Sequence, residues 1–455
     1  MSDTIAAIAT PASPAGLGVI RLSGTDAVSV AERVFVPADP KKRLAERPGY
    51  TALYGRVADE EGTIDDCVAL LFRAPHSYTG EDTVELSCHG GVYLLQRVLR
   101  ACFAAGARPA GPGEFTRRAF VNGKMDLSQA ESVMDLIAAD GRLAAKTALS
   151  AREGALSKAL YAVRQELAAA CAQMAAFVDY PDDDIPDLSP EALSQVLERA
   201  LGALDRLLST FDAGRVLREG VVTAIVGTPN VGKSTLMNRL SGCERSIVTD
   251  IAGTTRDIVE ETVKLGEVTL RLADTAGIRD TDDRVEGIGV SRARECMDSA
   301  ALVLAVFDVS RPFSEDDRQL LGALDPVHTV AVINKTDRPP LWDAAATLAR
   351  IPETVAISAE SGEGREALSD AVARVTGVCH LSGDAPVLAT ERQRAAALRC
   401  RAALWEAKEA LVAGMTLDAV NVGVEDALSA LLELSGERAT EAVVNEVFAR
   451  FCVGK

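Results

Sequence analysis

A chain of 455 residues with 48% hydrophobic content can form roughly three domains of ~100–200 residues, each with its own apolar core. The formal net charge of −18 repels polyphosphate at long range and excludes indiscriminate nucleic-acid binding. Nine cysteines without a Cys-x-x-Cys pair and only four histidines supply no zinc-ligand cluster. The N-terminus carries no basic segment ahead of its apolar stretch, and no apolar run approaches ~20 residues. The expectation is therefore a reduced, cytoplasmic protein with no membrane anchor. A nucleic-acid partner would have to meet a local basic patch: Lys41-Lys42-Arg43, Arg117-Arg118, or Arg392, Arg394, Arg399 and Arg401 on one predicted helix, where a solvated face is the plainer reading.

From residue 1 to about 120, short apolar runs alternate with turn residues. Val19 to Leu22, Cys67 to Phe72 and Thr83 to Ser87 read as strands, and Val92 to Ala105 as a helix, an α+β or α/β pattern. Between 125 and 213 the period changes to about 3.6. Leu156, Leu160, Val163, Leu167, Met174 and Phe177 mark one long amphipathic helix. After the acidic turn at 182–186, Ser189-Pro190 supplies an N-cap and a first-turn proline. Leu193, Leu197, Leu201, Leu204, Leu208 and Phe211 then line the face of a second, antiparallel helix. Strand and helix alternate from 218 to about 380, and helical periodicity returns from Glu391 to Phe451. A helical region that stops, yields to an α/β unit and resumes implies an inserted domain flanked by one discontinuous bundle. The boundaries expected are 1–122, 123–215, 216–380 and 381–455.

The inserted segment carries the chemistry. After the apolar run Val221 to Val226 comes Gly227-Thr-Pro-Asn-Val-Gly232-Lys233-Ser234, matching G-x-x-x-x-G-K-S/T. Its glycines let backbone N–H groups wrap phosphate, Lys233 neutralises β/γ charge, and Ser234 offers a hydroxyl to Mg²⁺ at a helix start. Downstream, Asp274-Thr275-Ala276-Gly277 follows the run Val268 to Leu272, where a carboxylate nears the metal and a flexible glycine senses the γ-phosphate. Asn334-Lys335-Thr336-Asp337 follows Val330 to Ile333. The Asp337 carboxylate can accept from guanine N1–H and its exocyclic amine, and Ser358-Ala359 offers a backbone N–H to guanine O6. Four elements in this order specify a GTPase. Between the first two lies Thr249-Asp250-Ile251-Ala252-Gly253-Thr254-Thr255, and Thr255 is placed to close on Mg²⁺ and the γ-phosphate. The residue after the DTAG turn is Ile278, where many GTPases carry a water-orienting Gln. Glu286 lies in the right downstream segment to hold water, although spacing alone reads it as a surface carboxylate.

The chain ends Phe451-Cys452-Val453-Gly454-Lys455. A cysteine fourth from the end suggests prenylation, but Gly454 and a terminal Lys455 fit that signal poorly.

Over essentially its full length the sequence resembles the tRNA uridine-modification GTPases called MnmE or TrmE. The resemblance rests on Ala9-Thr10-Pro11 with the Gly16 to Gly24 run, on Ser77-Tyr78-Thr79-Gly80-Glu81-Asp82, on Gly113-Glu114-Phe115-Thr116-Arg117-Arg118-Ala119-Phe120, on Thr249 to Asp257, and on the terminal Cys-x-Gly-Lys. It implies a multidomain α/β protein: an N-terminal α+β folate-binding-like domain that dimerises, a discontinuous helical domain, and an inserted P-loop, Ras-like GTPase domain. It further implies a homodimer working with tRNA and an FAD-dependent MnmG (GidA)-type partner in a heterotetramer or larger complex. The modification would be an aminomethyl or carboxymethylaminomethyl group on C5 of the wobble uridine. The one-carbon unit would come from 5-formyltetrahydrofolate or a related tetrahydrofolate, held by Arg21, Glu81, Lys124 and Lys455, cations suiting the folate tail and a carboxylate the pterin edge.

By the same resemblance, Asn230, Thr249, Ile251 through its carbonyl, and Thr254 would hold a K⁺ ion where other systems insert an arginine, and Glu286 would order the attacking water. The GTP contacts would be Asn230, Val231, Gly232, Lys233, Ser234 and Thr235, then 249–255, then Asp274 to Gly277, Asn334 to Asp337, and Ser358-Ala359. Mg²⁺ would take Ser234 and Thr255. Gly287 stands where a larger residue is common, which bears on local loop stiffness. Cys452 sits where a thiol could contact substrate, yet with no neighbouring histidine it has no evident route to a thiolate. A ribosome-assembly GTPase of the Era or Der kind is the alternative. It would need a C-terminal KH-like domain with a basic G-x-x-G loop, whereas the region from Glu391 shows helical periodicity. A regulatory switch that merely dimerises is the other.

Overall fold

Alternating burial along short strands and 3.6-residue burial along helices produce two compact units in the computed structural model, Met1–Met134 with Ser435–Lys455, and Asp135–Leu434. The structure describes residues 3–179, 189–241, 261–272, 297 and 299–454.

The first unit is built on a seven-stranded sheet. Its strands are β1 (Ile5–Ile8), β2 (Ala15–Ser23), β3 (Phe35–Pro37), β4 (Thr51–Asp59), β5 (Gly62–Phe72), β6 (Thr83–Gly90) and β7 (Arg108–Pro109), in the order β3-β4-β5-β6-β2-β1-β7. All pairings are antiparallel except β1 with β7. Ile20 and Leu22 of β2, Leu53 and Val57 of β4, Ala69 and Leu71 of β5, and Val84 and Leu86 of β6 point to one face. There the helices Ala27–Val34 and Val92–Ala104 cover them. The three predicted strands fall inside β2, β5 and β6, and the predicted helix ends one residue earlier than expected. This is an α+β arrangement. In the same unit, Val444 and Phe448 of the helix Glu441–Ala449 join Phe451 in a core with Leu127, Ala130 and Val133.

In the second unit the helices Ala155–Asp179, Pro190–Leu208, Glu391–Val412 and Leu417–Ser435 share one core. Leu167, Met174, Leu197 and Leu204 pack with Cys400, Leu404, Val424 and Leu431. The two helical segments, separated in sequence by the α/β insert, thus form one discontinuous domain. Ser189 Oγ accepts from Ala192 N at 3.1 Å, the expected N-cap bond. A Glu166–Arg199 pair at 3.0 Å ties the first two helices together at similar distances from their connection, as an antiparallel pair requires. One detail differs from the sequence reading. Phe211 does not continue the helix of Leu208: the Ser209 and Thr210 hydroxyls donate back to the Arg206 and Leu207 carbonyls, and a new helix runs Phe211–Glu219. Phe211 remains in the same core.

The insert is a six-stranded sheet of β8 (Val221–Val226), β9 (Glu261–Leu265), β10 (Val268–Leu272), β11 (Leu302–Asp308), β12 (Thr329–Asn334) and β13 (Glu353–Ala356). The order is β13-β12-β11-β8-β10-β9, parallel except for β9 against β10. The helices Lys233–Ser241, Glu315–Ala323 and Arg365–Val375 connect it. Parallel strands send their carboxyl ends to one edge. The chain order reverses at β8, where an open α/β sheet forms its binding crevice.

Because Leu404 is fully buried in a core drawn from both helical segments, Leu404→Ala should destabilise the helical domain by roughly 2–5 kcal/mol. Chemical denaturation followed by circular dichroism measures this, and a loss well under 1 kcal/mol would show that the segments do not share a load.

Candidate functional site

The loop after β8 turns directly into the helix Lys233–Ser241, so its backbone N–H groups and the helix N-terminus face one point. Asn230 holds a left-handed backbone (φ 62°), as does Gly232 (φ 97°). A Cβ at Gly232 would lie 2.3 Å from Asn334 Nδ2, so no other residue fits. Lys233 Nζ donates to the Gly227 and Thr228 carbonyls, both at 2.9 Å, and burial pushes its ammonium pKa down. An anion alongside would compensate that desolvation. Ser234 and Thr235 are exposed on the first helical turn, and Val231 is buried beneath the loop.

The ends of β12 and β13 lock onto this loop. Asn334 Nδ2 donates to the Val231 carbonyl at 2.8 Å, and its Oδ1 accepts from Ala359 N at 2.9 Å. Lys335, itself at φ 64°, donates to the Asn230 carbonyl at 2.8 Å and to Asp308 Oδ2 at 2.6 Å. Thr336 N donates to the Ile357 carbonyl at 3.2 Å, and Ser358 Oγ donates to Asp337 Oδ1 at 2.7 Å. That Ser358 bond is the main cause holding the Asp337 carboxyl below its usual pKa. An ionised, exposed Asp337 beside an ordered Ser358-Ala359 turn can accept N–H donors, whereas the Ser358 and Ala359 N–H groups that the sequence reading offered to guanine O6 are donated to the Glu363 carbonyl and to Asn334 Oδ1. The sequence-predicted residues Asn230 to Thr235, Asn334 to Asp337, Ser358 and Ala359 therefore meet at one edge. Thr249, Asp250, Ile251, Ala252, Gly253, Thr254, Thr255, Asp274, Thr275, Ala276, Gly277 and Glu286 lie outside the described residues.

In the first unit a second polar group converges. Arg21 on β2 sits opposite Glu85 on β6 and donates to its Oε1 at 2.8 Å. The guanidinium packs 5.8 Å from the Tyr78 ring centre and 5.6 Å from that of Phe115, and donates to the Gly454 carbonyl at 3.3 Å. Glu81 Oε2 accepts from Ser23 Oγ at 2.9 Å and from Arg118 Nη1 at 3.0 Å. Lys124 Nζ donates to the Pro75 carbonyl at 3.1 Å, on the same β5–β6 connection that bears Glu81. The tail is docked here: Val453 bridges Pro112, Gly113 N donates to the Cys452 carbonyl at 3.3 Å, and Phe451 is buried. Gly454 (φ 99°) passes so close to the Ile8 carbonyl that a Cβ would lie 2.4 Å from it. The Cys452 side chain is exposed. Lys455 lies outside the described residues. The sequence reading missed Glu85 and took Arg118 as part of a basic patch and of a family motif rather than as Glu81's partner, although a cross-strand carboxylate opposite Arg21 was visible in principle once β2 and β6 were paired.

The candidate nucleic-acid patches are largely paired within the protein. Arg392 donates to the Glu433 and Leu434 carbonyls, Arg399 pairs with Glu433, Arg401 with Asp205 at 2.5 Å, and Arg394 stacks on Phe211 at 4.9 Å. Lys42 and Arg43 meet Asp39 and Glu32, and Arg118 is spent on Asp3, Glu81 and Glu114. Glu114 is pushed up by burial, yet the Arg108 bond, the Gly111 N–H and Arg118 bring it down to about 2. No described helix is long and apolar enough to cross a membrane.

Comparison with known proteins places the chain in a family. Residues 127–452 match the family described as MnmE helical domain, and residues 4–124 match GTP-binding protein TrmE N-terminus. The chain is 44% identical to the tRNA modification GTPase MnmE of Symbiobacterium thermophilum, covering 100% of this chain and 99% of that relative. It is 42% identical to the protein of the same name in Geobacter metallireducens, covering 100% of both chains. For the Geobacillus kaustophilus protein the figure is 40%, over 100% of this chain and 99% of that one. With phosphate and guanine loops formed and both family regions matched, the chain belongs to the MnmE, or TrmE, family of tRNA modification GTPases.

Proposed function

We propose that this GTPase is potassium-activated and, as a homodimer with an FAD-dependent MnmG-type partner, installs an aminomethyl or carboxymethylaminomethyl group on C5 of the wobble uridine, position 34, of certain tRNAs. The one-carbon unit would come from a tetrahydrofolate. The observation that carries the reading is the coexistence of an assembled guanine and phosphate edge with a C-terminal tail whose Gly454 carbonyl meets Arg21.

The donor sets fit the implied groups. Ser234, an exposed hydroxyl at a helix start, suits Mg²⁺, with Thr255 as its second ligand. Asn230, exposed beside the phosphate loop, offers a neutral oxygen suited to K⁺, with Thr249, Ile251 and Thr254 completing the set. A monovalent cation there supplies positive charge where phosphoryl transfer develops negative charge. This chain's own residues do the rest. Lys233 neutralises phosphate, Asp337 reads guanine with the Ser358-Ala359 turn alongside, and Glu286 orders water. In the first unit Arg21, Lys124 and Lys455 suit the carboxylates of a folate tail, and Glu81, with one oxygen held by Ser23 and Arg118, suits the donors of a pterin edge. Cys452 is exposed beside that group, which keeps a contact with substrate open. The Era or Der alternative loses ground because no sheet strand follows Ala356 among the described residues, whereas a KH-like domain needs one.

GTP hydrolysis should run much faster in potassium than in sodium salts; equal rates in a phosphate-release assay would contradict the cation assignment. Deleting Val453 to Lys455 should leave GTP hydrolysis largely intact while weakening folate binding and abolishing wobble-uridine modification. Equilibrium dialysis and nucleoside mass spectrometry read the two losses, and normal modification by the truncated protein would refute the tail's role.

A further inference from the structure

Among the described residues, three anchors from outside the phosphate loop hold it, and two of them belong to a recognised motif. Asn334 grips the Val231 carbonyl and Lys335 the Asn230 carbonyl. The third grips Thr228, at the start of the loop. Its Oγ1 donates to Asp317 Oδ1 at 2.8 Å and accepts from Arg311 Nη2 at 2.6 Å. Both partners follow β11, in a stretch that no nucleotide motif covers.

The arrangement is costly enough to need a reason. Asp317 is 2% exposed, and a buried carboxylate is tolerated only when fully hydrogen-bonded. It is: Oδ2 accepts from Ser314 N and Oγ at 2.9 and 2.8 Å, and Oδ1 accepts from Thr228 and from Arg311 at 2.9 Å. Capping the helix Glu315–Ala323 would need only the Ser314 bonds. The Oδ1 side is turned to the loop. Thr228 also contributes the carbonyl that Lys233 Nζ contacts at 2.9 Å, so anchoring its side chain fixes the backbone that the phosphate-binding lysine rests on. Gly227 beside it leaves the backbone many conformations, so the side-chain anchor adds to the restraint that Lys233 supplies.

We infer that Thr228, clamped by the Arg311–Asp317 pair, is a positioning residue for nucleotide binding, holding the first turn of the phosphate loop in register before the phosphates arrive. The hydroxyl is the component that can be removed cleanly. In Thr228→Val the branched shape is kept, and Asp317 retains Arg311 and Ser314, so the buried charge is not orphaned.

Titration of Thr228→Val with fluorescent GTP and GDP analogues should show affinity for both weakened about tenfold, the scale of one hydrogen bond to a charged group. Turnover at saturating GTP should stay within about two-fold of wild type, because a preorganisation defect raises KM without touching chemistry, and the variant should remain fully folded at the assay temperature by circular dichroism. Thr228→Ser, which keeps the hydroxyl, should restore affinity. Unchanged affinity in Thr228→Val would overturn the inference. So would a Ser variant as weak as the Val variant, a fall in kcat alone, or a weakening traceable to a smaller folded fraction.

Discussion

The nucleotide edge depends on one buried amide. Asn334 is 2% exposed at the end of β12, and its two polar ends face different loops: Nδ2 donates to the Val231 carbonyl and Oδ1 accepts from Ala359 N. Parallel pairing of β8, β11, β12 and β13 brings three loop ends to the same edge, but a sheet alone would leave them free to move independently. The amide makes phosphate recognition and base recognition parts of one rigid body. Gly232 exists to let it in, since any side chain there would collide with Nδ2. Lys335 and Thr228 then fix the two remaining stretches of the loop.

The first unit solves a related problem with a guanidinium. Arg21 is held between a cross-strand carboxylate, two aromatic rings and a tail carbonyl. Gly454 thus joins a polar group whose other members lie within the first 124 residues. Phe451 makes that closure stable by burying its ring beside Phe448, 5.2 Å between centres, while Gly454 lets the backbone pass Ile8. The Cys452 and Val453 side chains are exposed between buried Phe451 and buried Gly454.

Much of this was legible in the chain itself. Phosphate binding demands glycines and a lysine at set spacing because backbone N–H groups must converge, so Gly227 to Ser234 reads directly. The inserted-domain arrangement was visible as a change of period, and Leu404 with Leu167 in one core is its physical form. What escaped the reading depends on pairing across long separations. Glu85 becomes Arg21's partner only through the β2–β6 register, and Asp317 reaches Thr228 only because β8 and β11 are neighbours. The helix break after Leu208 escaped for a different reason: Phe211 is buried in the same core on either account, so apolar periodicity could not register the break.

The most direct test of the account is the nucleotide affinity of Asn334→Ala, measured for GTP and GDP by isothermal titration. Losing two buried hydrogen bonds that couple separate loops should weaken both nucleotides roughly hundredfold or more, with the folded sheet intact by circular dichroism. Affinity within a few-fold of wild type would show that the two loops are held independently and that the amide is not the constraint on which the site rests.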